Sequence, residues 1–409
     1  MKLKGNLNFG IHLLLFVAVV SCHKRTTLAV HQSFATAGSS YPSYNVSPVK
    51  PDTVGMSSTA SQLAAKMKIG WNLGNTLEAI GGETAWGNPK VTDALIKEIK
   101  KSGFNAVRIP CSWDQYADPS TAKIKTAWLS RVKEVVRYCI DNDMYVILNI
   151  HWDGGWLENN CTPEKRNAVN AKQKAYWEQI ATSLRDFDEH LIFASANEPA
   201  VANPVQMDVL LSYHQTFIDA VRSTGGKNAN RVLVIQGPST DFDKTLQLMA
   251  KMPEDKVKGK LMLEVHSYTP YQFALMTRDE KWGNQFYYWG RGYHSSIDTT
   301  HNATWGEESD IDRIAKAMKI KFIDKGIPVI IGEFGVIRRS SLMGDALVHH
   351  LDARAHYLKY FVKSVKTYGL IPFYWDEGSL GDNSFGIFSR QTNTVADHQA
   401  LDSLMRGTN

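Results

Sequence analysis

Glu198 and Glu333 each close a run of strand-forming apolar residues. The first lies in LIFASANEPAVANP from position 191, where Asn197 and Glu198 are followed at once by Pro199. The second lies in PVIIGEFG from position 328. A polar turn is the plain reading of either stretch. Two carboxyl groups that flank a bond do more. One protonates a leaving oxygen while the other attacks carbon or activates water, which is what hydrolysis of a glycosidic bond requires. A carboxyl separation of about 5 Å would mean retention of configuration, and roughly 6.5–9.5 Å inversion.

The elements that must position this pair repeat one pattern. Short β-branched runs end in polar or aromatic residues, and an amphipathic helical stretch follows each. The strand candidates are KIGWNLGN (68–75), NAVRIP (105–110), YVILNIHW (145–152), LIFASANE (191–198), RVLVIQG (231–237), LMLEVHSY (261–268), PVIIGEFG (328–335) and LIPFYWDEG (370–378). Between them lie helical patterns such as KVTDALIKEIKKSG and AWLSRVKEVVRYCIDND, with apolar residues recurring at three and four. The unit between strands five and six is the least clear, offering only DFDKTLQLMAKM. Near-continuous apolar strands alternating with helices imply a parallel sheet covered by helices. Eight units fit a closed (β/α)8 TIM barrel in the α/β class, a single catalytic domain over residues 56–409. An open doubly wound sheet would carry a Gly-rich fingerprint after its first strand, and GWNLGN does not match one.

A parallel barrel carries its site at the C-terminal ends of its strands. Those ends hold Asn72 and Asn75, Arg108, His151 and Trp152, Asn197 and Glu198, His266 and Tyr268, Glu333, then Trp375, Asp376 and Glu377. Together they describe a polar cleft lined with aromatic rings, with strands four and seven nearly opposite. Arg108 and Tyr268 are placed to hold Glu333 ionised, while partial desolvation would keep the proton on Glu198. Asn197 is a candidate ligand of a sugar hydroxyl, and Trp375 a stacking floor for a ring.

On these residues the chain resembles glycoside hydrolase family 5, the cellulase and mannanase family of the retaining (β/α)8 glycosidases, over roughly residues 60–405. Asn197-Glu198-Pro199 is similar to the family's acid/base motif, and Glu333 in IIGEFG to its nucleophile. Arg108 in VRIP, His151 in NIHW, His266 and Tyr268 in HSYTP and Trp375 in FYWDEG match the remaining active-site positions. GWNLGNTLEA and ETAWGNP look like subfamily 4, which acts on β-1,4-glucans, and place Asn72, Trp86 and Asn75 on the glycone side or its support. One position departs from the pattern. Trp152 stands where many members carry a second histidine, exchanging a polar sugar contact for an apolar one. The resemblance thus implies catalytic Glu198 and Glu333, a substrate-binding set of Asn72, Arg108, His151, Trp152, Asn197, His266, Tyr268 and Trp375, and a retaining endo-β-1,4-glucanase. An endo-β-mannanase or other β-glycanase is the alternative. The insert TRDEKWGNQFYYWGRGYHSSIDTTHNATWGEE offers Trp282, Trp289 and Trp305 as further sugar contacts.

Two other classes compete. His151, Asp153, His266 and Glu333 could gather a cation, but no HxH or HExxH pattern is present, and no metal or cofactor is expected. A glycan-binding protein built on an inactive barrel would have lost one of the glutamates.

Lys2 and Lys4 precede IHLLLFVAVV, so residues 1–22 read as a signal peptide. Cys22 after VVS resembles a bacterial lipoprotein box, and residues 23–55, rich in Ser, Thr, Ala, Pro and Tyr, read as a flexible tether. These imply an exported protein, held at the outer membrane or cell surface through a lipid and otherwise secreted. Cys111, Cys139 and Cys161 form neither a disulfide framework nor a zinc pattern, and Cys139 reads as core. With 46 basic and 41 acidic side chains, scattered in sequence, the chain shows no nucleic-acid surface. A monomer acting on a β-glucan polysaccharide is the expectation.

Overall fold

The computed structural model describes residues 41–409. The signal stretch and Cys22 lie outside them. Eight strands close into a parallel barrel: β1 (Gly70–Asn72), β2 (Ala106–Ile109), β3 (Tyr145–Asn149), β4 (Leu191–Ala194), β5 (Leu233–Gln236), β6 (Leu261–Ser267), β7 (Val329–Phe334) and β8 (Ile371–Tyr374). Each pairs with its neighbours in chain order, and β8 returns to β1. All eight sequence runs named as strands therefore form the barrel.

Seven crossover helices connect the strands, α1 (Asp93–Lys101), α2 (Thr126–Asp141), α3 (Arg166–Leu184), α4 (Pro204–Ser223), α5 (Phe242–Leu248), α6 (Glu308–Lys321) and α7 (Gly344–Thr367), and α8 (His398–Gly407) follows the last strand. Their ends follow capping chemistry. Thr92 accepts from Leu95 at the start of α1, Asn203 accepts from Gln206 before Pro204 opens α4, and Asp397 accepts from Ala400 ahead of α8. The weakly patterned DFDKTLQLMAKM stretch does form a helix, α5, short and capped by Asp241.

Two apolar layers result. Strand side chains that point outward meet the helices, while Ala106, Ile147, Ile192, Val234, Met262, Ile330 and Phe373 fill the interior. The helix Ala60–Lys66 closes the lower end with Leu63 and Ala64, fastened by a capping box between Thr59 and Gln62. Gly70 is required there, because a Cβ on it would fall inside the Phe373 ring.

The tether expected over 23–55 is corrected for its described part. From Tyr41 onward the chain is laid against the barrel, since it carries partners for its own polar groups. The Tyr44 amide donates to Glu178 at 2.6 Å, the Tyr44 hydroxyl donates to the Thr121 carbonyl at 2.8 Å, and Val49–Pro51 pairs in parallel with Gly225–Gly226. Serine-rich composition hid a segment whose two tyrosines pack on the core.

Gly70→Ala is expected to cost about 1–3 kcal/mol through overpacking. Calorimetry reads it as a lowered melting temperature, and an unchanged midpoint would show that Phe373 has room to move.

Candidate active site

Arg108, at the upper end of β2, sits fully buried in the barrel mouth. Its Nε lies 2.8 Å from Glu264 Oε1 on β6. Nη1 donates to Glu333 Oε1 at 2.9 Å and to Asn72 Oδ1 at 3.0 Å, and Nη2 donates to Asn197 Oδ1 at 2.7 Å. One rigid fork thus fixes groups from four other strands. Burial disfavours its charge, but Glu264 and then Glu333 outweigh that and raise its pKa.

Glu333 is buried at the end of β7 and receives a second hydrogen bond from the Tyr268 hydroxyl, 2.9 Å from Oε2. Glu198, beyond β4, leaves 44% of its side chain open to solvent. Its Oε1 is 2.7 Å from His266 Nδ1 and 3.4 Å from the Thr240 hydroxyl that donates to it. A carboxylate oxygen of each glutamate and a ring nitrogen of His266 all lie within 4.8 Å of one another. That separation belongs to the retaining class.

His266 stands between the carboxylates. Its Nε2 is 3.1 Å from Glu264 Oε1 and its Nδ1 3.7 Å from Glu333. Burial opposes its charge, but Glu333 and the hydrogen bonds to Glu198 and Glu264 push its pKa up to about 10. The charged form of His266 is therefore favoured, and the two glutamates shift in the directions opposite to those expected from their own surroundings. Burial raises Glu198, yet the hydrogen bond and charge of His266 outweigh it and lower the group. Burial raises Glu333 by more than His266 and Arg108 lower it.

The other predicted residues divide. His151 stacks on Trp375 with ring centroids 5.9 Å apart, and burial, Arg108 and His266 hold it neutral. Asn149 Nδ2 faces its Nδ1 at 3.3 Å, while Asn149 Oδ1 accepts from the Cys111 amide, so His151 presents an Nε2–H donor. Trp152, Trp86, Trp282 and Trp305 are exposed. Asn72 is corrected as a sugar ligand: it is fully buried, donating to the Gly332 carbonyl and accepting from Arg108. Arg108 is corrected likewise, because its guanidinium is spent on protein partners. Trp289 is core, packed on Phe273 and Tyr357. Asp153 faces away from His266, accepting from the Trp113 and Asp114 amides and Trp156 Nε1. The four-residue cation set is thus not assembled; His266 and Glu333 instead cluster with Glu198. Asp376 pairs with Arg390 and Trp71, and Glu377 accepts from the Phe385 amide. Among the described residues, Cys111, Cys139 and Cys161 are buried and free.

Sequence reading missed Glu264, Gln236 and Asn149, which lie beneath Arg108, His266 and His151. Gln236 Nε2 donates to Glu264 Oε2 at 2.6 Å. The only signal for Glu264 was a carboxylate alternating into the apolar run LMLEVHSY. Gly332 answers it, since a Cβ there would collide with the Glu264 carboxylate.

Comparison with known proteins decides the family. The sequence model described as Cellulase (glycosyl hydrolase family 5) matches residues 72–381. The chain belongs to glycosyl hydrolase family 5. It is 38% identical over 389 residues to a xyloglucan-specific endo-beta-1,4-glucanase of Bacteroides ovatus, covering 90% of this chain and 74% of that protein. Endoglucanase A of Paenibacillus barcinonensis is 35% identical over 374 residues, 85% of this chain and 90% of the relative. Among solved structures, a Bacteroides ovatus GH5 xyloglucanase in complex with a XXXG heptasaccharide superposes with a TM-score of 0.83 at 36% identity, over 90% of this chain and 81% of that one. The protein is a glycoside hydrolase on a (β/α)8 barrel, with endo-β-1,4-glucanases among its relatives.

The His266 charge gives this glycosidase a linked stability. A raised cation contributes fully below its ordinary pKa of 6.5 and is lost as pH rises through about 10. Urea unfolding between about pH 6 and pH 10 should therefore weaken more steeply in the wild type than in His266→Gln. Parallel curves would show that His266 is uncharged in the folded state.

Proposed function

We propose that this chain is an exported endo-β-1,4-glucanase that cleaves plant cell-wall β-glucans, xyloglucan among them, by double displacement. Its main support is the pair of carboxylates within 4.8 Å, one bound to Arg108 and Tyr268, the other to His266 and open to solvent. Glu333 attacks the anomeric carbon while Glu198 protonates the leaving oxygen, so one C–O bond forms as another breaks. Water, deprotonated by Glu198, then displaces Glu333 from the sugar and returns the proton.

A sugar seated against Glu198 removes its solvent, and the loss penalises the Glu198 carboxylate–His266 imidazolium pair against its neutral form. The proton then crosses the 2.7 Å contact to Glu198, where the leaving oxygen needs it. Burial leaves Glu333 more basic than a solvated carboxylate, which favours attack. Asn197, with its oxygen turned to Arg108, and the Nε2–H of His151 are donors for sugar hydroxyls. Trp375 is the ring platform, and Trp152 supplies an apolar contact.

Support for a branched substrate comes from the far side of Glu198. There a cavity of about 250 Å³ is lined by Glu198, Thr240, Phe242, Tyr268 and Tyr271 among others. It has room for a substituent on the leaving unit. Relatives named as xyloglucan-specific point the same way.

Glu198→Ala should cost about 10²–10⁴-fold in kcat on polysaccharide, and Glu333→Ala should abolish turnover. Proton NMR of early products should show the β-anomer first. Near-normal activity of Glu333→Ala on carboxymethyl-cellulose, barley β-glucan, xyloglucan, xylan and mannan would end this reading, and mannan as the sole substrate would replace it with a mannanase. Export through Cys22 lipidation predicts that Cys22→Ala moves the protein from the membrane fraction to the soluble one. A wild type already soluble would contradict the anchor.

A further inference from the structure

Glu158 lies in the loop after β3, buried, and does no work in the reaction described above. Its Oε1 accepts from the backbone amide of Trp152 at 3.0 Å and from that of Glu198, also at 3.0 Å. A single oxygen thereby ties the loop leaving β3 to the loop leaving β4. The tie is doubled on the other side of Glu198, where the Glu158 carbonyl accepts from the Ala200 amide at 2.8 Å.

The segment it holds is under strain. Trp152 has φ +40° and ψ −61°, and Asp153 follows at φ +54°. Non-glycine residues in such conformations persist only where their surroundings over-determine them, and they gather at functional sites. The Trp152 ring is exposed, while its amide is pinned beneath. The Glu198 side chain is held by His266 and weakly by Thr240, so the direction in which it leaves the strand depends on its backbone.

We propose that Glu158 is a positioning residue that sets Trp152 and the acid/base Glu198 as one unit, so that the ring contacting the sugar and the carboxyl delivering the proton keep a fixed spacing. This rests on the reading of Glu198 as acid/base. The role needs acceptor oxygens rather than a charge, because its donors are all uncharged: the Trp152 and Glu198 amides and the Asn197 side chain. Burial agrees with this, pushing the Glu158 pKa up to about 7 against the lowering hydrogen bond from the Glu198 amide.

The test uses the full chain and two substrates, xyloglucan and 2,4-dinitrophenyl β-cellobioside, whose leaving group departs without a proton. Glu158→Ala is expected to lower kcat/KM on xyloglucan on the order of 10²-fold, the cost of misplacing a reacting group by about 1 Å. The rate of glycosylation by the dinitrophenyl substrate should change less than about threefold, since general-acid help is not needed there. Glu158→Gln, which keeps an acceptor oxygen, should recover the xyloglucan rate to within about tenfold. If Glu158→Ala fails to fold, Glu158→Asp, one methylene short of both amides, reads the same ratio. Equal losses on the two substrates, or a Gln variant as impaired as Ala, would overturn the proposal. Glu198→Ala measured alongside separates the two levels. An equal loss there overturns the acid/base reading itself, and the positioning role with it.

Discussion

Removing a guanidinium from water at the centre of a barrel costs several kcal/mol unless its donors are met. Arg108 is fully buried, and Glu264, Glu333, Asn72 and Asn197 meet it from β6, β7, β1 and the end of β4. The fork is planar, so these four oxygens are fixed relative to one another as well as to Arg108. A barrel that closes with either carboxylate displaced leaves the buried charge only partly compensated, and one that displaces Asn72 or Asn197 leaves an Nη–H without that acceptor. The placement of Glu333 and Asn197 is thereby part of the condition for folding.

Charge follows from the same arrangement. Arg108 and His266 face three carboxylates, those of Glu198, Glu264 and Glu333. Glu264 is sealed beneath, lowered by Arg108 and His266 against its burial, and cannot reach a substrate. It is a constant countercharge. Of the three, Glu198 is the one open to solvent, so its contact with His266 is the part of the cluster that a molecule in the cleft would cover. Gly332 has no side chain because Glu264 occupies that space. The small residue in IIGEFG and the carboxylate in LMLEVHSY are two parts of one device, written 68 positions apart.

That distance explains what could be read from the letters. Strand periodicity and strand ends are local, so the barrel, the order of its elements and the ring of groups around Glu198 and Glu333 were legible. Depth is not local. Asn72 and Arg108 stand at strand ends like His151 and Trp375, yet the first two point beneath the site and the second two line it. Glu264 interrupts an apolar run and Glu158 sits in a polar loop, and neither letter shows its role, because each is defined by partners from other parts of the chain. Glu198 and Glu333 stand at the barrel mouth as their strand ends implied, but their shifts run the other way, because His266 outweighs burial at Glu198 and burial outweighs His266 at Glu333. Tyr41 to Pro51 read as tether for a similar reason: its partners Glu178, Thr121 and Gly225 are remote in sequence.

Local rules are broken most where the loops meet the cleft. Trp152, Asp153, Ser239 and Thr240 all take positive φ without being glycine. Such violations are expected where function imposes a conformation the chain does not prefer. Ser239 accepts from the Lys244 ammonium and binds Val201, which steadies the segment following Glu198, and Thr240 reaches Glu198 itself. Beyond β6 the same economy appears at larger scale. Trp289 is buried, its indole donating to the Gly306 carbonyl, and Arg339 clamps Met276 and Gln285, so the insert is anchored while Trp282 remains exposed beside Tyr271. Chemistry is thus fixed by strands whose partners are buried, and the outer reach of the cleft by loops whose anchors are separate from that network. Loop substitutions can change which chains are admitted without disturbing Arg108, and substitutions around Arg108 cannot be confined to substrate choice.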